Sequence, residues 1–316
     1  MPTAKSRFLS AAQLILSSVL ALSILGAPTT ACFYAALALQ LWFERMIPSL
    51  FPFMVLSGLI LRLNLGQLFA LPLYPVLGRL YRISKTMCTT LFMGFFFGFP
   101  LGAKCVAEAY ELKQLSKPQA QFLLSFCNNI GPVYLLSFAL PLLGFSENSY
   151  SGLKIAVIAI FFGVPLLYGL ILRNTVYRHI PLTETILCGE SIGRKVSFIP
   201  ALDASVTSAC AAITRLGGYM IFFIVCNLPL RQTALLAPAL EITSGLTLSK
   251  GILPPALSMT FLTFGGLSCF AQTYTCIRDT DLSFRDYCFH KLLQSAIAFC
   301  LYALLFSVYD RLPVLS

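Results

Sequence analysis

The sequence predicts an all-α polytopic membrane protein, arranged as an inverted repeat with two re-entrant helical hairpins and two broken transmembrane helices. Three observations carry that prediction. Of the 316 residues 58% are hydrophobic and only 11% charged, whereas soluble domains carry roughly 25% charged residues. Apolar stretches such as 8–26, 153–172 and 284–309 supply about 20 residues each, enough at 1.5 Å per residue to cross a hydrocarbon core of ~30 Å. The remaining apolar stretches are too short to span, or are interrupted by Gly, Pro and paired polar residues. These interrupted stretches fall into two matching sets, a pattern that points to a binding site near the bilayer midplane.

Taken in order, Lys5 and Arg7 precede the apolar stretch 8–26. That core is longer than a secretory signal's, so it reads as an uncleaved anchor with a cytoplasmic N-terminus, although residues 27–31 resemble a cleavage zone. Residues 1–43 are this anchor and an interfacial segment. A first repeat occupies 44–145. Its segment 46–63 runs inward and delivers Arg62, Arg79, Arg82 and Lys85 to the cytoplasm, where Lys and Arg concentrate. Stretch 89–100 is too short to span and 103–113 turns polar again, which fits a re-entrant hairpin broken at Gly98, Pro100 and Gly102; irregular backbone at depth is tolerated only where protein buries it or it lines a cavity. Segment 119–143 exits, broken at Asn128-Asn129-Ile130-Gly131-Pro132.

Residues 146–197 link the repeats through a transmembrane helix at 153–172 and a connection, 173–195, whose Arg173, Arg178, Arg194 and Lys195 place it in the cytoplasm. The second repeat, 198–280, opens with the long segment 199–228, which carries Arg215-Leu216-Gly217-Gly218 near its middle. A short hairpin at 235–248 contains Glu241-Ile242-Thr243-Ser244-Gly245. Segment 255–277 is broken at Phe264-Gly265-Gly266-Leu267-Ser268, with Gln272 one turn on. A C-terminal segment, 281–316, holds the last transmembrane helix. The chain has room for about seven passes at ~20 residues each.

Composition also excludes functions. The net charge of +10 sits in short connections without a basic stripe, so it reports membrane orientation rather than nucleic-acid binding. The 11 cysteines lie mostly in apolar segments (Cys88, Cys105, Cys127, Cys210, Cys226, Cys269, Cys300) and form no C-x-x-C pair; they read as small buried hydrophobes rather than disulfides or metal ligands. The two histidines, His179 and His290, fall in polar connections, so no metal centre is expected. H-E-x-x-H and Walker loops are missing from the sequence, so neither an enzyme, a bound cofactor nor a nucleotide-driven motor is expected. Any driving force is then a gradient, of H⁺ or Na⁺, or a partner.

Candidate site residues follow from the cost of burying polarity. An ionisable group at the helix centre costs about 2.5–3.5 kcal/mol on insertion scales and marks a functional site by default. Lys104, at the start of a helix beginning after Gly102, opposes the helix dipole; it forms an anion site with the helix N-terminus, or snorkels, or pairs with Glu108 or Glu111. Asn128 and Asn129 bind substrate through their amides, or cap and glue the broken helix before Gly131 and Pro132. Glu241, the acidic counterpart of Lys104, is a coupling or gating group, or the ion-pair partner of Arg215 or Lys104; Arg215 is a further coupling or gating candidate. Gly245, Gly265 and Gly266 mark the later breaks, where Ser268 and Gln272 complete the opposite wall of a substrate site or merely allow close packing.

Ser49-Leu50-Phe51-Pro52-Phe53, Phe99-Pro100-Leu101-Gly102-Ala103-Lys104, Leu240-Glu241-Ile242-Thr243-Ser244-Gly245 and Phe264-Gly265-Gly266-Leu267-Ser268 with Gln272, in that order, resemble the YlbJ-type sporulation integral membrane proteins. These belong to the nucleoside-recognition (Gate) domain group, distantly similar to concentrative nucleoside transporters. The resemblance covers roughly residues 44–292. It implies an endospore-forming Firmicute and passage of dipicolinic acid out of the mother cell across the outer forespore membrane. The expected partners are then the lipid bilayer and a small-molecule anion, with a homo-oligomer or sporulation membrane proteins beside them, in the cytoplasmic or outer forespore membrane. Two departures from the family stand out. Phe99 occupies the place of a common tyrosine, and Phe270 that of an expected histidine, which removes a phenol and a proton relay. Two other readings remain open at this point, a transporter of nucleosides or other neutral solutes and a non-transporting scaffold for spore assembly.

Overall fold

In the computed structural model the described residues are 4–63, 65, 68, 72–145, 151–182, 197–230 and 234–311, and among them every regular element is a helix. Arg194 and Lys195, assigned above to a basic loop, lie outside the described residues. Helix α1 is Ala4–Gly26. After Pro28, fixed at the start of a helix where its missing N–H costs nothing, α2 (Pro28–Leu41) runs through a π-turn, Trp42–Met46, directly into α3 (Ile47–Arg62). The division read at residue 43 therefore falls inside one continuous helix, and Pro28–Ile60 is long and apolar enough to cross a membrane. Pro52 sits within α3, as neighbouring helices in a membrane permit.

Helix α4 (Tyr74–Tyr81) leads to α5 (Lys85–Phe97), whose N-cap Ser84 accepts a hydrogen bond from the Met87 amide, and α5 stops at Gly98. Helix α6 (Leu101–Glu111) packs back on α5. The hairpin turn is thus Gly98-Phe99-Pro100, and α6 starts at Leu101 rather than after Gly102, because Pro100 occupies the N-cap and leaves Gly102 helical. A capping box between Ser116 and Gln119 starts α7 (Lys117–Leu124). Residues 125–131 are non-helical, and α8 (Pro132–Leu142) restarts with Gly131 as N-cap and Pro132 at its first turn. That is the break expected at Asn128-Asn129.

Helix α9 (Ser151–Asn174) precedes α10 (Phe198–Val225), which stays helical through Gly217 and Gly218 and so carries Arg215 without a bend. Short helices α11 (Ala237–Leu240) and α12 (Ile242–Leu248) pack together around an extended Glu241. Gly245, expected as a break, lies inside α12; it is needed there because a Cβ would run into the Ala237–Pro238 backbone. Helix α13 (Pro255–Phe264) ends at Gly265, α14 (Gly266–Ile277) resumes at once, and α15 (Phe284–Arg311) closes the chain. Gly265 and Gly266 both have positive φ, +89° and +78°, which β-carbon-bearing residues adopt only with strain.

Among the described residues four helices are long and apolar enough to span: Pro28–Ile60, Gly152–Asn174, Phe198–Leu230 and Phe284–Tyr309; Ala11–Gly26 and Pro132–Leu142 are shorter apolar helices. Helix α10 packs along α2 and α3, and α15 packs along α9 and α13. The half-length helices α5–α8 and α11–α14 pack against these long helices and against one another.

Candidate functional site

The four breaks meet. A Cβ on Gly98, at φ +76°, would strike the Gly131 backbone nitrogen, so the first hairpin turn lies directly on the restart of α8. A Cβ on Gly265 would lie 2.9 Å from the Phe99 ring, and one on Gly266 3.1 Å from the Pro238 carbonyl and 3.3 Å from the Ile242 nitrogen. Glycine at these places lets backbone approach backbone where any side chain would hold the breaks apart. Around this junction Met46, Leu50, Phe99, Ile130, Gly131, Tyr134, Leu216, Met220, Glu241, Thr243, Cys269 and Gln272 line a small chamber. Met46 ends one π-turn and Tyr134 precedes another, Leu135–Ala139; such bulges are frequent at functional sites.

Polar groups in the chamber are few and positioned. Glu241 is 2% exposed, and its carboxylate accepts from the amides of Thr243 (3.1 Å) and Ser244 (2.6 Å), capping α12. No salt bridge joins it to Arg215 or Lys104 among the described residues, so the ion-pair reading of Glu241 is replaced by a helix cap. Tyr134 donates to Thr243 Oγ1 at 3.1 Å. Gln272 is buried and its Oε1 has no hydrogen-bond partner, as is true of Ser268 Oγ. A buried acceptor left unmade costs about 1–3 kcal/mol and therefore calls for a water or ligand.

Lys104 and Arg215 lie elsewhere, in a second cavity that also takes in Glu108, Glu111, Ser208 and Cys276. Lys104 contacts Ser208 Oγ and pairs with Glu108 at 3.7 Å, both side chains partly exposed. Arg215 is exposed on α10. This cavity shares Leu216 and Gln272 with the chamber. It is a charged vestibule that adjoins the apolar chamber at those two side chains.

Asn128 and Asn129 stand behind the chamber wall, their amides used within the chain. Asn128 Oδ1 accepts from the Ala103 amide (3.1 Å) and its Nδ2 donates to Thr273 Oγ1 (2.8 Å), which ties α6 and α14 to the break. Asn129 Nδ2 donates to the Phe126 carbonyl at 2.7 Å. Their remaining acceptors meet a residue the sequence reading passed over: Lys291 Nζ donates to Asn129 Oδ1 (2.7 Å) and to the Asn128 carbonyl (3.3 Å), and lies 5.0 Å from the centroid of the Phe99 ring. Lys291 is 2% exposed on α15. It was overlooked because Arg285, Asp286 and His290 make the start of this helix read as a polar connection. The signal was the spacing: Tyr287, Lys291, Gln294, Ala298 and Tyr302 recur at three and four residues and are all buried, the stripe of an inward helix face. His290, assigned to a connection, is likewise helical, its Nδ1 2.6 Å from the Tyr168 hydroxyl.

At the end of α9, Arg173 is buried and donates to the carbonyls of Tyr81 (2.8 Å) and Tyr177, so one of the arginines assigned to the basic loop fastens α4 to α9. Asp281 accepts from the Tyr110 hydroxyl (2.6 Å) and from Lys117 (2.9 Å), and these two donors hold its carboxyl below the ordinary carboxylate value. Of the cysteines, Cys88, Cys105, Cys127 and Cys269 are buried as expected, whereas Cys226 is half-buried and Cys210 and Cys300 are exposed.

The chain is 27% identical over 304 residues to the sporulation integral membrane protein YlbJ of Bacillus subtilis (strain 168), an alignment covering 82% of this chain and 74% of that protein. The chain is YlbJ-like. With its apolar helices, that likeness makes it a multi-pass integral membrane protein. No family model matches the chain, and no solved structure matches it.

Proposed function

We propose that this protein is a secondary transporter or facilitator, without catalytic chemistry, that moves a small anionic metabolite across a membrane during endospore formation. The observation that carries the reading is the convergence of four chain breaks on one buried chamber. Non-helical backbone inside a membrane is costly unless it is buried or lines a cavity, and paired interrupted helices around a midplane site are the architecture of alternating access. A scaffold has no use for a shared cavity with unpartnered polar groups; separate helix interfaces would serve it. In this reading α5–α6 and α11–α12 are the re-entrant hairpins of an inverted repeat, the vestibule with Lys104 and Arg215 attracts the anion, and Glu241 is the group through which H⁺ or Na⁺ is coupled.

Dipicolinate is the substrate that the YlbJ likeness favours, carried across the outer forespore membrane. One observation supports a second reading, a neutral solute such as a nucleoside: the charged group lining the chamber is an acid, Glu241, rather than a base. Uptake of labelled dipicolinate into proteoliposomes, against labelled uridine and protein-free vesicles, separates them. Saturable dipicolinate uptake is expected; uptake of uridine alone transfers the chamber to neutral solutes, and uptake of neither overturns the transport reading.

A further inference from the structure

An anion in this chamber meets the Glu241 side chain, and neither Lys104 nor Arg215 lines the chamber to bind it. The buried amine at the junction is that of Lys291. Its amine is held by two acceptors from the Asn128–Asn129 break and covered by the Phe99 ring, and among the described residues no carboxylate pairs with it. A lysine withdrawn from water without a counter-charge is costly. A purely structural link between α15 and the break needs only a neutral donor there, such as the amide with which nearby Gln294 holds the Ser125 carbonyl at 2.7 Å.

Phe99 is the partition between the amine and the chamber. Its ring lines the chamber and also stands over Nζ at 5.0 Å. It is carried by the non-helical turn between α5 and α6, and its ring packs against Gly265, where a Cβ would lie 2.9 Å from it.

We infer that Lys291 is the carboxylate-binding residue of the chamber, screened by Phe99 until an anionic ligand enters, when the ring moves aside and the amine exchanges its hold on Asn129 for the ligand's carboxylate. This inference rests on the transport reading and names the residue that makes the site anion-selective. It also ties binding to the fold: release of Asn129 frees the break between α7 and α8 at the moment the chamber fills.

The test is competition of labelled pyridine-2,6-dicarboxylate uptake by the unlabelled dianion and by the isosteric neutral pyridine-2,6-dicarboxamide. In the unaltered protein the dianion competes better, and Lys291→Met abolishes that preference, a loss of about tenfold or more, as expected for one charge-assisted hydrogen bond. A merely structural lysine would weaken both competitors alike. Lys291 is also followed in the otherwise intact chain by reductive methylation read peptide by peptide. Methylation speeds in Phe99→Ala, which uncovers the amine, and the dianion but not the diamide slows it again. No dianion uptake by the unaltered protein overturns the transport reading together with this one. Dianion uptake with the preference intact in Lys291→Met, or Lys291 methylation indifferent to both Phe99→Ala and ligand, overturns this inference alone.

Discussion

Gln272 shows how a single residue separates stability from function. Its Oε1 is buried without a partner at the septum between vestibule and chamber, so replacing it by Leu removes an orphaned acceptor and is expected to leave thermal stability unchanged or raised by about 1 kcal/mol. Transport across that septum should fall, and a thermal-shift assay beside an uptake assay reads both. A glycine substitution tests the junction itself. Gly98→Ala places a Cβ on the Gly131 nitrogen at a φ of +76°, and about 1–3 kcal/mol of strain is expected, seen as a lower melting temperature in detergent. Gly163→Ala is the control, since nothing lies within 4 Å of its Cβ and a helical alanine is favoured by about 1 kcal/mol.

Among the elements, α12 is the most dependent on one side chain. Seven residues make it too short to be stable alone, and Glu241 satisfies two of its first amides. Glu241→Ala orphans both and is expected to cost about 1–2 kcal/mol, whereas Glu241→Gln keeps an acceptor for one of the two amides and should melt between Glu241→Ala and the unaltered protein. If Glu241 also couples an ion, Glu241→Gln should remove the dependence of uptake on a pH or Na⁺ gradient while the fold persists. Comparison of the two variants by melting and by gradient-driven uptake separates the cap from the coupling.

Across the whole molecule, Asp281 fastens the connection between α14 and α15 to the end of the first hairpin through Tyr110 and to the start of α7 through Lys117. Its carboxyl lies below the ordinary value of 3.8, chiefly through the Tyr110 hydrogen bond and then through Lys117. A depressed folded pKa means that its stabilisation is present above the unfolded value and is lost as pH falls through the folded one. The melting difference between the unaltered protein and Asp281→Asn should therefore hold at neutral pH and shrink below about pH 4. It should be small throughout, because the group is exposed and screened; a difference that grows on acidification would contradict the arrangement.

The composition and apolar run lengths alone determined that the chain is helical and membrane-bound, because a bilayer admits only stretches that satisfy their own backbone. The interruptions at Asn128–Pro132 and Gly265–Gly266 were legible for the same reason, Gly and Pro being local in their effect. Tertiary structure decided where those breaks point. Gly245 looked like a break and is a close-packing residue, while Glu241 became the break because its side chain replaces the backbone partners that an N-terminus lacks. Lys104 was conspicuous in sequence and stands in the vestibule; Lys291 was hidden among its polar neighbours and reaches the junction itself. The depth of a charged side chain depends on which face of its helix meets other helices, and only the packing of α15 against α9 and α13 fixes that face.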